Sequence, residues 1–174
     1  MSESTISPIL AMGALLAVAG SVAMALGAGA PNATSLRSLL LRYGRWMAFA
    51  VAGTAMGASL YYSEVAHFVP CDFCWYQRIA MYPLALVLLI AAVSRDDRVV
   101  KYVVPLAAIG LALSIYHYQL QLFPEQSTVC TSGVPCTAQY VDQFGFISIP
   151  FMAGCGFLSV LALHLGMWRA RKAA

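Results

Sequence analysis

Two cysteines and an arginine, Cys71, Cys74 and Arg78, occur in the short stretch CDFCWYQR at the start of a long apolar run. Pro70 precedes the first cysteine, which is typical of chain entry into a helix. A helix N-terminus and a nearby cation both favour a thiolate over a thiol. Helical positions i, i+3 and i+7 project from one face, so the spacing predicts a reactive dithiol beside a fixed positive charge.

A second pair of cysteines, Cys130 and Cys136, lies in the polar segment FPEQSTVCTSGVPC. Two pairs permit three interpretations: two static disulfides, a four-thiolate zinc site, or a relay that passes electrons from one pair to the other. The pattern of cysteines alone leaves these open. Arg78 favours the relay, because a charged side chain at membrane depth is costly and marks functional sites, whereas a static disulfide needs no cation. We therefore predict a redox relay and no metal site.

The composition indicates that these cysteines belong to a membrane protein. Of the 174 residues, 61% are apolar and 10% are charged, against about 25% charged residues in soluble domains. Five apolar runs are each compatible with a membrane helix, at residues 6–30, 46–63, 74–94, 102–123 and 144–168. The first run lacks a basic n-region and is longer than a typical h-region, so we expect a retained helix and not a cleaved signal peptide.

The connections between these runs are too short for a separate soluble domain. We predict a single all-α membrane domain over residues 1–174, built as an antiparallel transmembrane four-helix bundle plus one additional N-terminal transmembrane helix. Residues 36–43 carry leucines at helical spacing among arginines, which is typical either of a short interfacial helix or of a merely charged loop.

The basic residues predict the orientation, because Lys and Arg accumulate in short cytoplasmic loops. Nine of the ten fall on alternate connections: Arg37, Arg42, Arg45, Arg95, Arg98, Lys101, Arg169, Arg171 and Lys172. We expect an extracytoplasmic N-terminus and a cytoplasmic C-terminus in a cell membrane. Both cysteine pairs then lie at the extracytoplasmic face, within or directly beside the loops 64–73 and 124–143, on the oxidising side where disulfides persist. The placement of the basic residues on membrane loops also argues against nucleic acid as a partner.

A relay of this kind needs a terminal electron acceptor, because exchange between dithiols only moves electrons. No haem or flavin motif occurs in the sequence. The membrane contains lipid-soluble quinones, and a dithiol at the mouth of an apolar helix beside Arg78 is placed to reduce one. We predict quinone, either ubiquinone or menaquinone, as the cofactor. Cys155, between two glycines of the last apolar run, is interpreted as a packing residue.

At these residues the sequence resembles the disulfide bond formation protein B family, DsbB, and especially its short-loop, BdbC-like branch. The resemblance is carried by CDFCWYQR at residues 71–78, YHYQLQLFP at 116–124, the loop pair of cysteines and FGFISIP at 144–150, in family order. The CxxC precedes the loop cysteines, whereas the quinone-linked vitamin K epoxide reductases have the opposite order.

The resemblance implies a bacterial cell membrane and a direction of electron flow. A reduced DsbA-like partner of the thioredoxin fold would attack a disulfide between Cys130 and Cys136. Cys130 would form the mixed disulfide with that partner, and the electrons would then pass to Cys71 and Cys74. The partner's own dithiol would leave as a disulfide, ready to oxidise secreted proteins.

The resemblance also implies a cofactor site. Cys74 would face the quinone, with Arg78 stabilising the thiolate–quinone pair, and His117 aligns with a family histidine near that site. Three features depart from the family pattern: the additional first helix, the short spacing of the loop cysteines, and Asp72 inside the CxxC. The charge of Asp72 is expected to oppose thiolate formation, although its position in the first turn of a helix partly offsets this.

Overall fold

The computed structural model describes residues 3–126, 130 and 133–173, and this part of the chain contains five α-helices. They are α1 (Glu3–Gly27), α2 (Thr34–Leu60), α3 (Asp72–Ser94), α4 (Val100–Leu122) and α5 (Ile149–Lys172). A π-helical turn, Tyr61–Val65, follows α2, and a 3-10 turn, Pro124–Gln126, follows α4. Within the described residues, β-structure is limited to one isolated bridge, between Gln143 and Ile147. The predicted all-α fold is confirmed.

Helices α2, α3, α4 and α5 close an antiparallel four-helix bundle. Each packs against two neighbours, in the cyclic order α2, α3, α4, α5 and back to α2. Helix α1 lies outside this ring, where it packs along α5 and meets α2 only weakly. The core of the ring is apolar, with Leu84 and Leu88 of α3 against Phe157, Val160 and Leu163 of α5. This arrangement is the predicted bundle with an additional N-terminal helix.

Four of the described helices are long and apolar enough to cross a bilayer: Ile6–Gly27 of α1, and α3, α4 and α5 along their lengths. Helix α2 differs because its first half carries arginines, and its uncharged second half, residues 46–60, is the part that we predict to lie in the membrane. The predicted loop 124–143 is described only in part, since residues 127–129, 131 and 132 lie outside the described residues.

Helix α2 also corrects the prediction for residues 36–43. Neither a separate interfacial helix nor a loop is present there, since α2 runs from Thr34 to Leu60 without interruption. The reason is a buried stripe in which Leu40, Gly44, Ala48 and Ala52 recur at every fourth position. Residues four apart lie on one face of a helix, so the same face continues to pack through the segment that carries the arginines.

The end of the bundle opposite the cysteines is held by ion pairs. Asp97, between α3 and α4, accepts from Arg45 of α2 at 2.7 Å and from Arg171 of α5 at 2.6 Å. Arg169 of α5 donates to the carbonyl oxygen of Ala25 at the end of α1, at 3.0 Å. We call this the basic end, and the end that carries Cys71 and Cys130 the cysteine end.

Close approach of α4 to α5 depends on Gly110. A Cβ at this position would collide with the ring of Phe157, which is fully buried in the core. We expect Gly110→Ala to destabilise the bundle by about 1–3 kcal/mol, the usual cost of forcing extra volume into a packed interior. Thermal unfolding in detergent measures this change. Gly57→Ala in α2 is the matched control, since a Cβ there meets no atom within 4 Å. An equal loss in both variants would contradict the packing argument.

Candidate active site

The first residue of the site, Cys71, is the N-cap of α3. Its backbone is extended, with φ −77° and ψ 173°, and its Sγ accepts a hydrogen bond from the backbone N–H of Cys74 at 3.3 Å. The Sγ atoms of the two cysteines lie 2.8 Å apart, as a hydrogen-bonded pair of free thiols. The CxxC therefore sits at a helix N-terminus, where unpaired N–H groups stabilise a negative charge.

Helix α4 brings a histidine to the same sulfur. Nε2 of His117 lies 3.5 Å from Cys71 Sγ and 3.2 Å from the carbonyl oxygen of Cys136. A carbonyl oxygen can only accept a hydrogen bond, so Nε2 carries the proton. This N–H is shared between the Cys136 carbonyl oxygen and the Cys71 sulfur. The side chain is buried, and its Nδ1 has no hydrogen-bond partner among the described residues. His117 thus connects the CxxC to the loop that carries the second pair.

These contacts stabilise a thiolate at Cys71. The hydrogen bond from the Cys74 thiol, the hydrogen bond and electrostatic attraction of His117, and the Cys74 N–H together lower the pKa of Cys71 to about 4, against opposing desolvation by burial. The expected opposition of Asp72 to thiolate formation stays a prediction. A low thiol pKa stabilises the reduced form of a CxxC and makes its disulfide more oxidising.

The loop cysteines, Cys130 and Cys136, form a disulfide with their Cα atoms 6.1 Å apart. Cys136 is buried, at 1% exposure, in a cluster with Cys71, Phe73 and Leu120, whereas Cys130 is half-buried at the edge of that cluster. Cys130 is therefore the more exposed member of the pair, and Cys136 is the member buried in the same cluster as Cys71. The two loop cysteines thus differ in their surroundings.

Cys74 and Arg78 line a cavity of about 480 Å³. Its wall is mostly apolar and is built from α1, α2, α3, α5 and the loop residues Phe68, Val69, Pro70 and Tyr140. A cavity of this size and character is typical of small-molecule sites, which span about 300–1,000 Å³. The reactive groups in its wall are the thiol of Cys74 and the guanidinium of Arg78.

Arg78 is held in place by α2. Its Nε donates to Oγ of Ser59 at 3.0 Å and its Nη2 donates to the Ser59 carbonyl oxygen at 3.1 Å. Its guanidinium also lies 5.2 Å from the centroid of the Trp75 ring. The ion pairs found in the described part of the chain join Asp97 to Arg45 and Arg171, so the charge of Arg78 is balanced by none of them. It remains available to an anionic thiolate or to an electron-rich oxygen in the cavity.

The predicted site residues form two groups that share Cys74. The structure brings Cys71, Cys74 and His117 together, with Cys136 in the same cluster. Cys74 and Arg78 line the cavity. His117 is not among the residues that line the cavity. The role of His117 in binding the cofactor stays a prediction, whereas its contact with the Cys71 sulfur is seen in the structure.

Several residues of the site were not predicted from the sequence. Ser59, which anchors Arg78, could have been suspected as a polar residue near the end of an apolar run. The rings of Tyr62, Phe68 and Tyr140 stack in series at 5.7 Å and 4.7 Å and cover the cavity at the cysteine end. No local pattern marks this stack, because its members come from three separate segments.

A soft metal ion has three donors here, since ligand atoms of Cys71, Cys74 and His117 all lie within 4.8 Å of one another. Two thiolates on one tetrahedral zinc, with bonds near 2.3 Å, stand about 3.8 Å apart. The two Sγ atoms are 2.8 Å apart, which suits a thiol hydrogen bond better than a shared ion. The loop disulfide leaves Cys130 and Cys136 without thiolates, so the structure does not contain the four-thiolate set.

Comparison with known proteins identifies the family. Residues 42–168 match the protein-family model described as "Disulfide bond formation protein DsbB". The chain belongs to the DsbB family. It is 50% identical over 125 residues to disulfide bond formation protein C of Bacillus subtilis (strain 168), covering 71% of this chain and 88% of that protein. No solved structure matches the chain.

Two further relatives agree with the predicted short-loop branch. A probable disulfide formation protein of Oceanobacillus iheyensis is 48% identical over 127 residues, which cover 68% of this chain and 86% of that protein. A probable disulfide formation protein C 2 of Bacillus cereus is 47% identical over 118 residues, covering 67% and 85%. This DsbB-family chain is therefore a multi-pass membrane protein of disulfide bond formation, with α1 preceding the matched residues.

Proposed function

We propose that this DsbB-family protein is a quinone-dependent thiol oxidase that reoxidises an extracytoplasmic, DsbA-like protein of the thioredoxin fold. The observation that supports this most directly is the division of the site. One cysteine of the CxxC lies beside the loop disulfide, and the other lies in an apolar cavity with an arginine. We propose the corresponding orientation, with the cysteine end outside the cytoplasm and the basic end inside.

The loop disulfide starts the relay. A thiolate of the partner attacks the half-buried Cys130 sulfur, so that a mixed disulfide forms and the Cys130–Cys136 bond breaks. Cys136 leaves as a thiolate within the cluster that contains Cys71. The second thiol of the partner then displaces Cys130, which releases the partner as a disulfide. Two electrons have moved from the partner to the loop pair.

The CxxC accepts the electrons from the loop pair in the next step of the proposed relay. Cys136, as the buried thiolate, attacks Cys71 of a Cys71–Cys74 disulfide, and Cys74 is released toward the cavity. Cys130 then displaces Cys71, so the loop disulfide reforms and the CxxC becomes a dithiol. This final arrangement matches the structure, with the loop pair bonded and the CxxC reduced. The donors around Cys71 stabilise that dithiol form and therefore draw electrons toward it.

The cavity fits a quinone as the terminal acceptor. When bound, a quinone would accept two electrons and two protons. Cys74 and Arg78 would hold its head, with the thiol at the reacting position and the guanidinium directed to an oxygen, and the apolar wall excludes water from both. Ser59 keeps Arg78 at this position. His117 acts at the Cys71 sulfur.

The test is a coupled assay with the purified protein, a reduced thioredoxin-fold partner and a soluble quinone, followed by quinone absorbance. We expect continuous loss of the quinone band that depends on the partner. Absence of quinone reduction with several partners and quinones, while the loop disulfide still exchanges, would leave a membrane thiol exchanger and refute the oxidase.

Arg78→Ala separates the two halves of the relay. We expect quinone reduction to fall about a hundredfold, because one preorganised charge at the reacting centre is removed. Formation of the mixed disulfide at Cys130 should keep its rate, since Arg78 does not contact the loop pair. Arg98→Ala, at the opposite end of the bundle, is the control. Equal loss of both half-reactions in Arg78→Ala would refute this division of tasks.

A further inference from the structure

The cavity that holds Cys74 and Arg78 is completed by α1, the helix that precedes the family-matched residues 42–168. Five residues of α1 line it: Ile9, Leu10, Gly13, Ala14 and Ala17. The opposite wall is α2, from Ala50 to Ser59, followed by Tyr62 of the π-helical turn. Since α1 packs along α5 and meets α2 only weakly, a slot stays open between α1 and α2, with α5 as its floor.

Helix α1 is fixed in this position at both ends. At the cysteine end the Tyr62 hydroxyl donates to Oγ of Ser7 at 3.1 Å, and both side chains are buried. At the basic end Arg169 and Arg37 donate to the carbonyl oxygens of Ala25 and Ala28, each at 3.0 Å. Hydrogen bonds at both ends, of which the one between Tyr62 and Ser7 is buried, fix the register of α1 against its neighbours, so the slot is a built feature of the fold.

The slot runs along the bundle, away from Arg78 and toward the basic end. On α1 the lining residues extend from Ile9 to Ala17, which is about 12 Å at 1.5 Å per residue. Cys74, Arg78 and Ser59 lie toward the cysteine end. The deeper part is lined mostly by aliphatic side chains and small residues such as Gly13 and Ala17, with Thr54 of α2 as a polar residue among them. A Cβ at Gly13 would meet no atom within 4 Å, so the wall there borders open space.

From this geometry we infer that α1 forms a binding site for the apolar tail of the quinone, and so sets which tails this protein accepts. The inference rests on the proposed function, because Cys74 and Arg78 position the quinone head at one end of the same cavity. With the head group at Cys74 and Arg78, the tail would extend along the apolar part of the cavity, between α1 and α2. Without α1 this part of the cavity would be a groove open to lipid.

The test compares two leucine substitutions on α1. Gly13→Leu fills the slot, whereas Gly20→Leu is the matched control, because space at Gly20 is equally open but Gly20 does not line the cavity. Binding is measured in lipid nanodiscs as the rise of the unfolding temperature with quinone mole fraction. Two quinones with one head group are used, one with a long isoprenoid tail and one without a tail.

We expect Gly13→Leu to weaken binding of the long-tailed quinone about tenfold or more, a typical effect of misfit in an apolar pocket. Binding of the tail-less quinone should change less than twofold, and Gly20→Leu should match the wild type with both. Equal behaviour of Gly13→Leu and Gly20→Leu toward the long-tailed quinone would overturn the inference and leave the oxidase intact. Failure of both quinones to bind the wild type would instead overturn the proposed function, and the inference with it.

A second measurement uses the unmodified chain, in case Gly13→Leu does not fold. A quinone with a photoreactive group on its tail is bound, irradiated and mapped by peptide mass spectrometry. We expect label on α1 between Ile9 and Ala17, with competition by the long-tailed quinone but not by a phospholipid. Label confined to α2, α3 and α5, or displaced equally by phospholipid, would contradict a tail site on α1.

Discussion

Replacing either loop cysteine with serine should reduce quinone-dependent oxidation of a thioredoxin-fold dithiol to background, while Cys155→Ser should retain the wild-type rate. In the proposed relay Cys130 and Cys136 are the entry, and without their disulfide the partner would have no bond to attack. Cys155 is also a buried cysteine, but it lies within α5 and outside the cluster around Cys71. It therefore controls for the loss of a buried sulfur as such. The measurement is the initial rate of loss of quinone absorbance.

The structure also predicts which sulfur the partner meets. A partner that keeps only its attacking cysteine should become linked to Cys130 of the wild-type chain, as shown by peptide mapping of the mixed disulfide. Cys136 is 1% exposed, whereas Cys130 is half-buried, so attack on Cys130 needs less rearrangement of the loop. A mixed disulfide on Cys136 would reverse the order of the loop cysteines. It would also remove the reason for placing Cys136 beside Cys71.

The sequence predicted where the helix that carries the CxxC begins. Pro70 and the spacing placed Cys71 at a helix start, and the structure makes it the N-cap. Helical periodicity placed Cys71 on the same face as Cys74 and Arg78. As an N-cap, Cys71 has extended and not helical dihedral angles, but its Sγ still lies 2.8 Å from that of Cys74. The Cys71 sulfur also contacts His117 of α4, and no local pattern predicts that contact.

Other features of the site depend on contacts between distant segments. The position of His117 follows from the packing of α4 on α3 and from the return of the loop at Cys136, and neither is encoded locally. The arginines of α2 suggested an interruption of the helix, but the stripe through Leu40 and Ala52 continues across them. Charge patterns describe the solvent around a helix, whereas the packed face decides whether the helix continues.

His117 is expected to control the reduction potential of the CxxC. Its hydrogen bond is made to the thiolate form of Cys71, which exists only when the CxxC is reduced. A hydrogen bond to a charged group contributes about 1.5–3 kcal/mol, which corresponds to about 1–2 pKa units and about 30–60 mV for a two-electron couple. We expect His117→Leu to lower the reduction potential by about this amount at neutral pH. The measurement is equilibration of Cys71 and Cys74 with glutathione or dithiothreitol buffers, in a Cys130→Ser/Cys136→Ser background.

The dependence on pH distinguishes this role from a loss of packing. Lowering the pKa of Cys71 from 9.0 to about 4 stabilises the reduced form fully above pH 9, and this stabilisation is lost as the pH falls to about 4. Between these limits Cys71 is a thiolate and Cys74 keeps its proton, so reduction takes up one proton for two electrons. The potential should therefore change by about 30 mV per pH unit, and by about 59 mV below pH 4, where reduction takes up two protons.

The pH at which the slope of the reduction potential changes distinguishes the two explanations. In His117→Leu it should move upward from about 4 by about 1–2 units, because the pKa of Cys71 rises when its donor is lost. His117→Gln keeps an N–H donor without the imidazole and should lie between the wild type and His117→Leu. His164→Gln replaces a buried histidine near the basic end and should leave both the potential and the slope unchanged. A lower potential in His117→Leu with the change of slope still near pH 4 would show that the histidine acts through packing, and not through the Cys71 thiolate.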